Sequence, residues 1–153
     1  MNRNLNIVVL GGGESGLGAA KLAQKLGHSV FLSDRSSLSA ENRQALIESK
    51  IDFEEGQHSE DRILEADLII KSPGIPEKAA LIQKIRTAQI ELISEIEFAA
   101  RHCQGTIIAI TGTNGKTTIT SMVHHLLETA GNSVALVGNI GTSFAGSLAE
   151  GKH

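Results

Sequence analysis

Along most of the chain, short apolar runs alternate with stretches whose apolar residues recur at helical spacing. The runs at residues 6–10, 29–32, 51–54, 68–71 and 91–93 read as strands. Between the first two, Ala19, Leu22, Ala23 and Leu26 follow the i, i+3, i+4, i+7 rule, and Gly27 stands where a helix ends, so the pattern predicts a helix over 16–26. Further helices are predicted over 39–49, with Ser39 as N-cap, and over 77–88, after Pro76. Both prolines fall in "SPGIPE", a turn at the carboxyl end of the strand through Ile70. From Thr106 the pattern restarts, with a strand at 107–110, a glycine loop, and a helix whose stripe carries Ile119, Met122, Val123 and Leu126. Gly131 closes that helix, and "NSVALVGNIG" supplies a further strand and turn. Strands alternating with helices predict an α/β fold with a parallel sheet, followed by an incomplete strand–loop–helix–strand unit. A boundary is expected near residues 98–105, giving units 1–97 and 98–153.

Composition removes several classes. With 41% hydrophobic and 20% charged residues in 153, the chain has the balance of a globular protein that buries a core. A net charge of −3 provides no basic field, and four Phe with no Trp or Tyr provide no stacking platform, so nucleic acid is not an expected partner. A single cysteine, Cys103, excludes an intrachain disulfide and fits a reducing cytoplasm, where it reads as a small apolar helix residue. The apolar run at 7–10 is too short for a signal-peptide core or a membrane span, so no membrane insertion is expected. A cytoplasmic monomer is the resulting expectation.

Two glycine loops carry the chemistry. Gly11, Gly13 and Gly16 satisfy GxGxxG directly after a strand and at the mouth of a helix, where free amides and the positive helix end suit a diphosphate. Asp34 ends the second strand at about the place where an acid takes a ribose hydroxyl in a dinucleotide site. Glu14 cuts against a dinucleotide, because its carboxylate would compete with a pyrophosphate at the helix N-terminus. The plainer alternative is that these glycines only permit close packing of helix on strand. In "GTNGKTT", Gly115, Lys116 and Thr117 form the GK[ST] end of a phosphate loop. Backbone amides around Asn114 would wrap phosphate oxygens, Lys116 would reach the β and γ phosphates, and Thr117 would offer its hydroxyl to Mg²⁺. The usual motif separates its glycines by four residues. Here only Thr113 and Asn114 lie between Gly112 and Gly115, and Ile110 occupies the first glycine's place. The other titratable residues read more simply: His58 as a loop residue, His124 and His125 as a solvated helix face, and Glu95 and Glu97 as acids complementing a helix dipole.

The shortened "TGTNGKTT" resembles the ATP loop of the Mur ligases. "GGGESGLG", Ser33 with Asp34, "KSPGIP", "SEIEF" and "GNIG" follow in an order similar to the D-glutamate-adding members, from about residue 5 to residue 145. The resemblance implies a Rossmann-like domain over 1–97 that holds a uridine diphosphate sugar, then the opening of a central ATPase domain over 98–153. It implies ATP and Mg²⁺ as cofactors, with UDP-N-acetylmuramoyl-L-alanine and D-glutamate joined through an acyl phosphate in peptidoglycan precursor synthesis. By motif, the uridine nucleotide would meet Glu14, Ser15, Gly16, Asp34, Arg35, Ser72, Pro73, Gly74 and Asn139. ATP would meet Gly112, Thr113, Asn114, Gly115, Lys116, Thr117 and Thr118, with Lys116 in the catalytic role and Thr117 on the metal. Such members often carry an arginine two residues after the aspartate, whereas here Arg35 follows Asp34 directly. The family's remaining catalytic parts would lie beyond His153, so the 153-residue chain is expected to bind the uridine nucleotide without ligase turnover. Two other readings stay open: an alanine-adding member of the family, and an NAD-binding module built on Gly11 to Asp34.

Overall fold

The computed structural model describes residues 3–151. Among the described residues five strands, β1 (Asn6–Leu10), β2 (Ser29–Asp34), β3 (Asp52–Glu55), β4 (Leu68–Lys71) and β5 (Glu91–Ser94), form one sheet of order β3-β2-β1-β4-β5 in which every pairing is parallel. The helices of the same residues are, in chain order, α1 (Glu14–Lys25), α2 (Ala40–Glu48), α3 (Glu60–Leu64), α4 (Ala80–Thr87), α5 (Glu95–His102), α6 (Lys116–Thr129) and α7 (Phe144–Ala149).

The central strand shows why the sheet is covered on both faces. Ile7 to Leu10 are fully buried, as expected of a parallel strand read as a continuous apolar run. Side chains alternate across a strand. Ile7 and Val9 therefore join the core with Ala19, Leu22, Leu46, Phe98 and Phe144, whereas Val8 and Leu10 join the opposite core with Ile63, Ile82 and Ile85. Helices α1, α2, α5 and α7 thus supply one layer, and α3 and α4 the other. The chain runs outward from β1 through β2 to β3, then returns to place β4 on the other side of β1. The connections that follow β1 and β4 therefore leave the sheet in opposite directions, and such a switch point leaves a crevice.

Local signals explain the helix boundaries. Ser39 caps α2 by accepting from the Asn42 amide at 3.2 Å, and Gly27 follows α1 with φ +87°, a conformation that favours glycine. Helix α4 begins at Ala80 rather than at residue 77, because "SPGIPE" folds as two successive turns, Ile75 N–H to Ser72 O (3.2 Å) and Ala79 N–H to Pro76 O (3.0 Å). Lys71 fixes the first of them by donating to Ile75 O at 2.8 Å while pairing with Glu77 at 3.1 Å.

Beyond α5 the expected elements form only in part. Helix α6 is present, but the strands expected at 107–110 and within 132–141 are not; among the described residues the latter stretch contributes a single bridge, Val137 to Thr142. A parallel strand needs a neighbour on which to hydrogen-bond, and none of the five sheet strands pairs with these segments. Ile107, Ile108, Ile119, Met122 and Leu126 are accordingly exposed.

Helix α7, in contrast, returns to the first core. Phe144, Ala145 and Leu148 are buried against α1 and α5, and Gly18 allows the two helices to touch, since a Cβ there would lie 2.7 Å from the Gly146 nitrogen. Side chains hold both ends of α7. Glu14 Oε1 accepts from Ser143 N–H at 3.1 Å, Glu95 Oε1 from Ala145 N–H at 2.6 Å, and Ser143 Oγ from Gly146 N–H at 2.9 Å. Lys25 Nζ donates to the carbonyls of Leu148 (3.2 Å) and Ala149 (2.8 Å) at the other end. Glu95, only 4% exposed, therefore caps a helix other than its own. Burial pushes its carboxyl above the ordinary value of 4.5; the amides of Ala145 and Phe144 oppose the shift and Glu14 adds to it. A carboxyl with a raised folded-state pKa stabilises most below its unfolded pKa, and the contribution is lost as pH rises through the folded value. Glu95→Gln holds the neutral form permanently. It should raise the melting midpoint at pH 7–8 by roughly 2–4 °C, with the gain vanishing near pH 4 in thermal melts that compare the two proteins across pH.

Candidate functional site

The crevice at the switch point is a cleft of about 840 Å³, and three loops at strand carboxyl ends supply most of its wall. The first runs from Gly11 into α1. Gly11 adopts φ +95°, and Gly16 presses on it so closely that a Cβ at Gly16 would lie 1.8 Å from the Gly11 carbonyl oxygen. The first bond of the helix, Leu17 N–H to Gly13 O at 2.9 Å, leaves the amides of the first turn without intrahelical acceptors. Glu14 and Ser15 line the cleft at that turn.

The second loop follows β2. Asp34 engages backbone with both oxygens: Oδ2 accepts from Gly12 N–H at 2.6 Å and Oδ1 from Ser36 N–H at 2.7 Å. It thereby ties the glycine turn to the end of the neighbouring strand. Asn42 of α2 adds a third tie, donating to Gly12 O at 2.8 Å. Arg35 lies beside Asp34, exposed and on the cleft wall. The third loop is the turn after β4, where Ser72, Pro73 and Gly74 form the facing wall, with Ser72 Oγ 3.4 Å from the Gly11 carbonyl.

A fourth contribution was not legible in the sequence. His58, on the loop after β3, lines the cleft and meets Ser33 Oγ through Nδ1 at 2.7 Å. Ser33 is fully buried and donates to Glu54 Oε1 at 2.7 Å, and that same oxygen accepts from Ser59 N–H at 2.7 Å. Desolvation pushes Glu54 up, but the hydrogen bonds from Ser59 and Ser33, with the nearby His58 ring, outweigh it and hold the carboxyl below its ordinary value. With Glu54 ionised, the one hydroxyl proton of Ser33 goes to the carboxylate, so His58 Nδ1 acts as donor to Ser33 and its Nε2 is left to the far edge of the ring. No spacing rule joins a residue of β2 to one of β3 and to the loop that follows β3; only the β2–β3 register, which sets Ser33 against Glu54, could have signalled it.

The structure thus brings Glu14, Ser15, Asp34, Arg35, Ser72, Pro73 and Gly74 onto one cleft, with Gly16 packed beneath it. It does not bring Asn139 there. Asn139 is exposed and does not line the cleft, because it sits in the turn before α7 that the bridge between Val137 and Thr142 closes on itself, with Gly138 N–H donating to Thr142 O at 3.0 Å.

The second glycine loop stands apart, since none of residues 112–118 lines the cleft. Gly115 takes φ +75° and Gly112 φ +151°, and Lys116 to Thr118 open α6. Lys116 folds back over the loop, its ammonium held by the Gly112 carbonyl and, at 3.5 Å, by that of Thr113. A cation gathered over a turn whose amides precede a helix is the arrangement that fits a phosphate chain.

A parallel sheet with a glycine turn at its switch point, walled by loops from strand carboxyl ends, defines a doubly wound α/β protein of the kind that takes its ligands in that crevice. Residues 5–94 match the family described as "Mur ligase MurD-like, N-terminal domain", and residues 110–150 match the Mur ligase middle domain. The chain belongs to the Mur ligase family. It is 47% identical over 147 residues to the UDP-N-acetylmuramoylalanine--D-glutamate ligase of Christiangramia forsetii, covering 96% of this chain and 33% of the relative. It is 55% identical over 141 residues to the ligase of the same name from Cytophaga hutchinsonii, covering 91% and 31%. The chain therefore spans about a third of the length of the curated relatives it matches. Among solved structures it resembles the UDP-N-acetylmuramate-alanine ligase MurC of Thermotoga maritima (TM-score 0.57, 26% identity, covering 85% of this chain and 30% of that one). It also resembles a murein peptide ligase of Psychrobacter arcticus (TM-score 0.61, 26% identity, covering 84% and 27%). No helix among the described residues is long and apolar enough to cross a membrane.

The contact at Gly16 gives a direct test of how the cleft is built. Gly16→Ala forces a methyl into a backbone carbonyl that cannot move without opening the turn after β1, so it should cost roughly 2–4 kcal/mol in urea unfolding. An unchanged denaturation midpoint would show that the turn yields to the methyl and that the approach of α1 to β1 is not a constraint.

Proposed function

We propose that the cleft holds a uridine diphosphate sugar, and that the whole protein to which this chain corresponds adds D-glutamate to UDP-N-acetylmuramoyl-L-alanine with ATP. The observation that carries this reading is the cleft itself: a diphosphate-sized glycine turn, tied by Asp34 and Asn42, faces the Lys71-braced "SPGIP" turn across the switch point. The relatives at 47% and 55% identity carry the D-glutamate name, whereas the alanine ligase structure is 26% identical, which favours the D-glutamate-adding reaction over its sister. The uridine nucleotide in the name of these same relatives likewise favours that ligand over NAD.

In this reading the first-turn amides of α1, with Ser15 and Gly16, hold the diphosphate. Asp34 fixes the turn, Arg35 lies at the nucleoside side, and Ser72 to Gly74 close the opposite wall. ATP and Mg²⁺ belong to the second loop, where bound ATP supplies the phosphoryl group that activates a carboxylate for amide formation. There, Gly112 to Gly115 present the wrapping backbone, Lys116 offsets phosphate charge, and Thr117 with Thr118 offers hydroxyls, that of Thr117 to the metal. We assign residues 1–97 to uridine nucleotide binding and 98–153 to the opening of the ATPase unit.

Calorimetric titration of the 153-residue chain tests the reading. UDP-N-acetylmuramoyl-L-alanine should bind, UDP should retain part of the affinity, and NAD should give no heat; binding of NAD with none of the uridine ligands would overturn it. Because the two loops are separate, Lys116→Ala should leave uridine nucleotide affinity within about twofold while abolishing any ATP signal. Incubation of the chain with UDP-N-acetylmuramoyl-L-alanine, ATP, Mg²⁺ and D-glutamate should yield no amide product, since segment 107–110 pairs with none of the sheet strands and the loop that follows it lies open.

A further inference from the structure

Glu14 sits awkwardly for a diphosphate site. It opens α1, lines the cleft beside Ser15, and would set a negative charge at the helix end where phosphate oxygens must approach. Yet its carboxylate is occupied: Oε1 accepts the Ser143 amide at 3.1 Å, at the start of a helix that is more than a hundred residues away in sequence and is fastened at both ends by α1 and α5. The docked helix therefore presents a donor to the acid at the mouth of the phosphate turn.

We propose that α7 conditions the nucleotide cleft: by engaging Glu14 it holds the carboxylate toward the Ser143 amide and offsets part of its repulsion of the diphosphate, so that docking of α7 and binding of the uridine nucleotide favour each other. This rests on the uridine diphosphate reading of the cleft. Glu14 is then a positioning residue whose carboxylate is held by α7, and Ser143 is its partner. The coupling is reciprocal by necessity: if α7 improves nucleotide affinity, nucleotide must tighten α7.

The Ser143 backbone makes the donor removable. Its φ of −59° matches proline, so Ser143→Pro deletes the N–H that reaches Glu14. Ser143→Ala keeps that N–H while sharing with proline the loss of the hydroxyl cap on Gly146. UDP affinity, measured by calorimetry after thermal melts establish folding, should be about fivefold weaker in Ser143→Pro than in Ser143→Ala. The same pair built on Glu14→Gln should differ by less than twofold, because no charge remains to be engaged. Equal affinities in the first pair overturn the proposal, and so does a deficit that persists in the Glu14→Gln background, which would mean that α7 acts through packing alone. A second measurement needs no proline. Saturating UDP should slow amide hydrogen exchange across 143–149 in the unaltered chain and leave it unchanged in Glu14→Gln; no slowing in the unaltered chain overturns the coupling. Failure of the unaltered chain to bind UDP at all would overturn the reading of the cleft, and this inference with it. UDP binding that ignores the Ser143 and Glu14 substitutions overturns this inference alone.

Discussion

Everything in the first unit depends on one approach, that of α1 onto the end of β1 at Gly11 and Gly16. A hydrogen in place of a methyl at Gly16 lets the helix start directly over the Gly11 carbonyl. From that contact follow the direction of the free amides at the helix mouth, the seating of Ala19, Leu22 and Ala23 on the sheet, and the surface that α7 later covers. Asp34 and Asn42 then hold the turn from the β2 side, so that the glycines, which favour no single conformation by themselves, are left with one. The glycine turn, the stretch of the cleft with the greatest backbone freedom, is thus held from several sides.

The same geometry decides how charge is managed. Two acids, Glu14 and Glu95, converge on the start of α7, and each finds a backbone amide there. Asp34 likewise accepts from the amides of Gly12 and Ser36, whereas acids at the surface pair with arginines or lysines, as in Arg43 with Glu55 at 2.7 Å and Arg101 with Glu91 at 2.8 Å; such surface pairs contribute little to stability. The pairs that shape function are the ones made to backbone, because an amide cannot move away as a side chain can.

Strands and their order of burial could be read from the chain because continuous apolar runs such as "NIVVL" have few other uses. The long helix after the glycine turn was legible for the same reason, as were the Ser39 cap and the proline turn, each of which is a local signal. What could not be read was non-local. Helix α3 is too short for periodicity to register. The burial of Glu95 depends on a helix some fifty residues later, and the Ser33–Glu54–His58 cluster on a strand register. The strands expected at 107–110 and in 132–141 have the right local pattern, but a pattern becomes a strand only when another strand stands beside it. Both glycine loops were visible from their spacing. The separation between them was not, since that is a property of how the chain is routed.

That routing constrains the second loop. The chain leaves the first core after Cys103 and returns to it through Val137 and α7, so the stretch between, which carries Lys116, is anchored at both ends on the same core. A tether fixed at two points explores far less space than one fixed at a single point, and its contour sets a ceiling on how far its tip can stray. The lysine loop is thus confined to a bounded neighbourhood of the cleft by its covalent link to α5 on one side and the docking of α7 on the other. Whatever reaction needs both loops together begins from a high local concentration of one near the other.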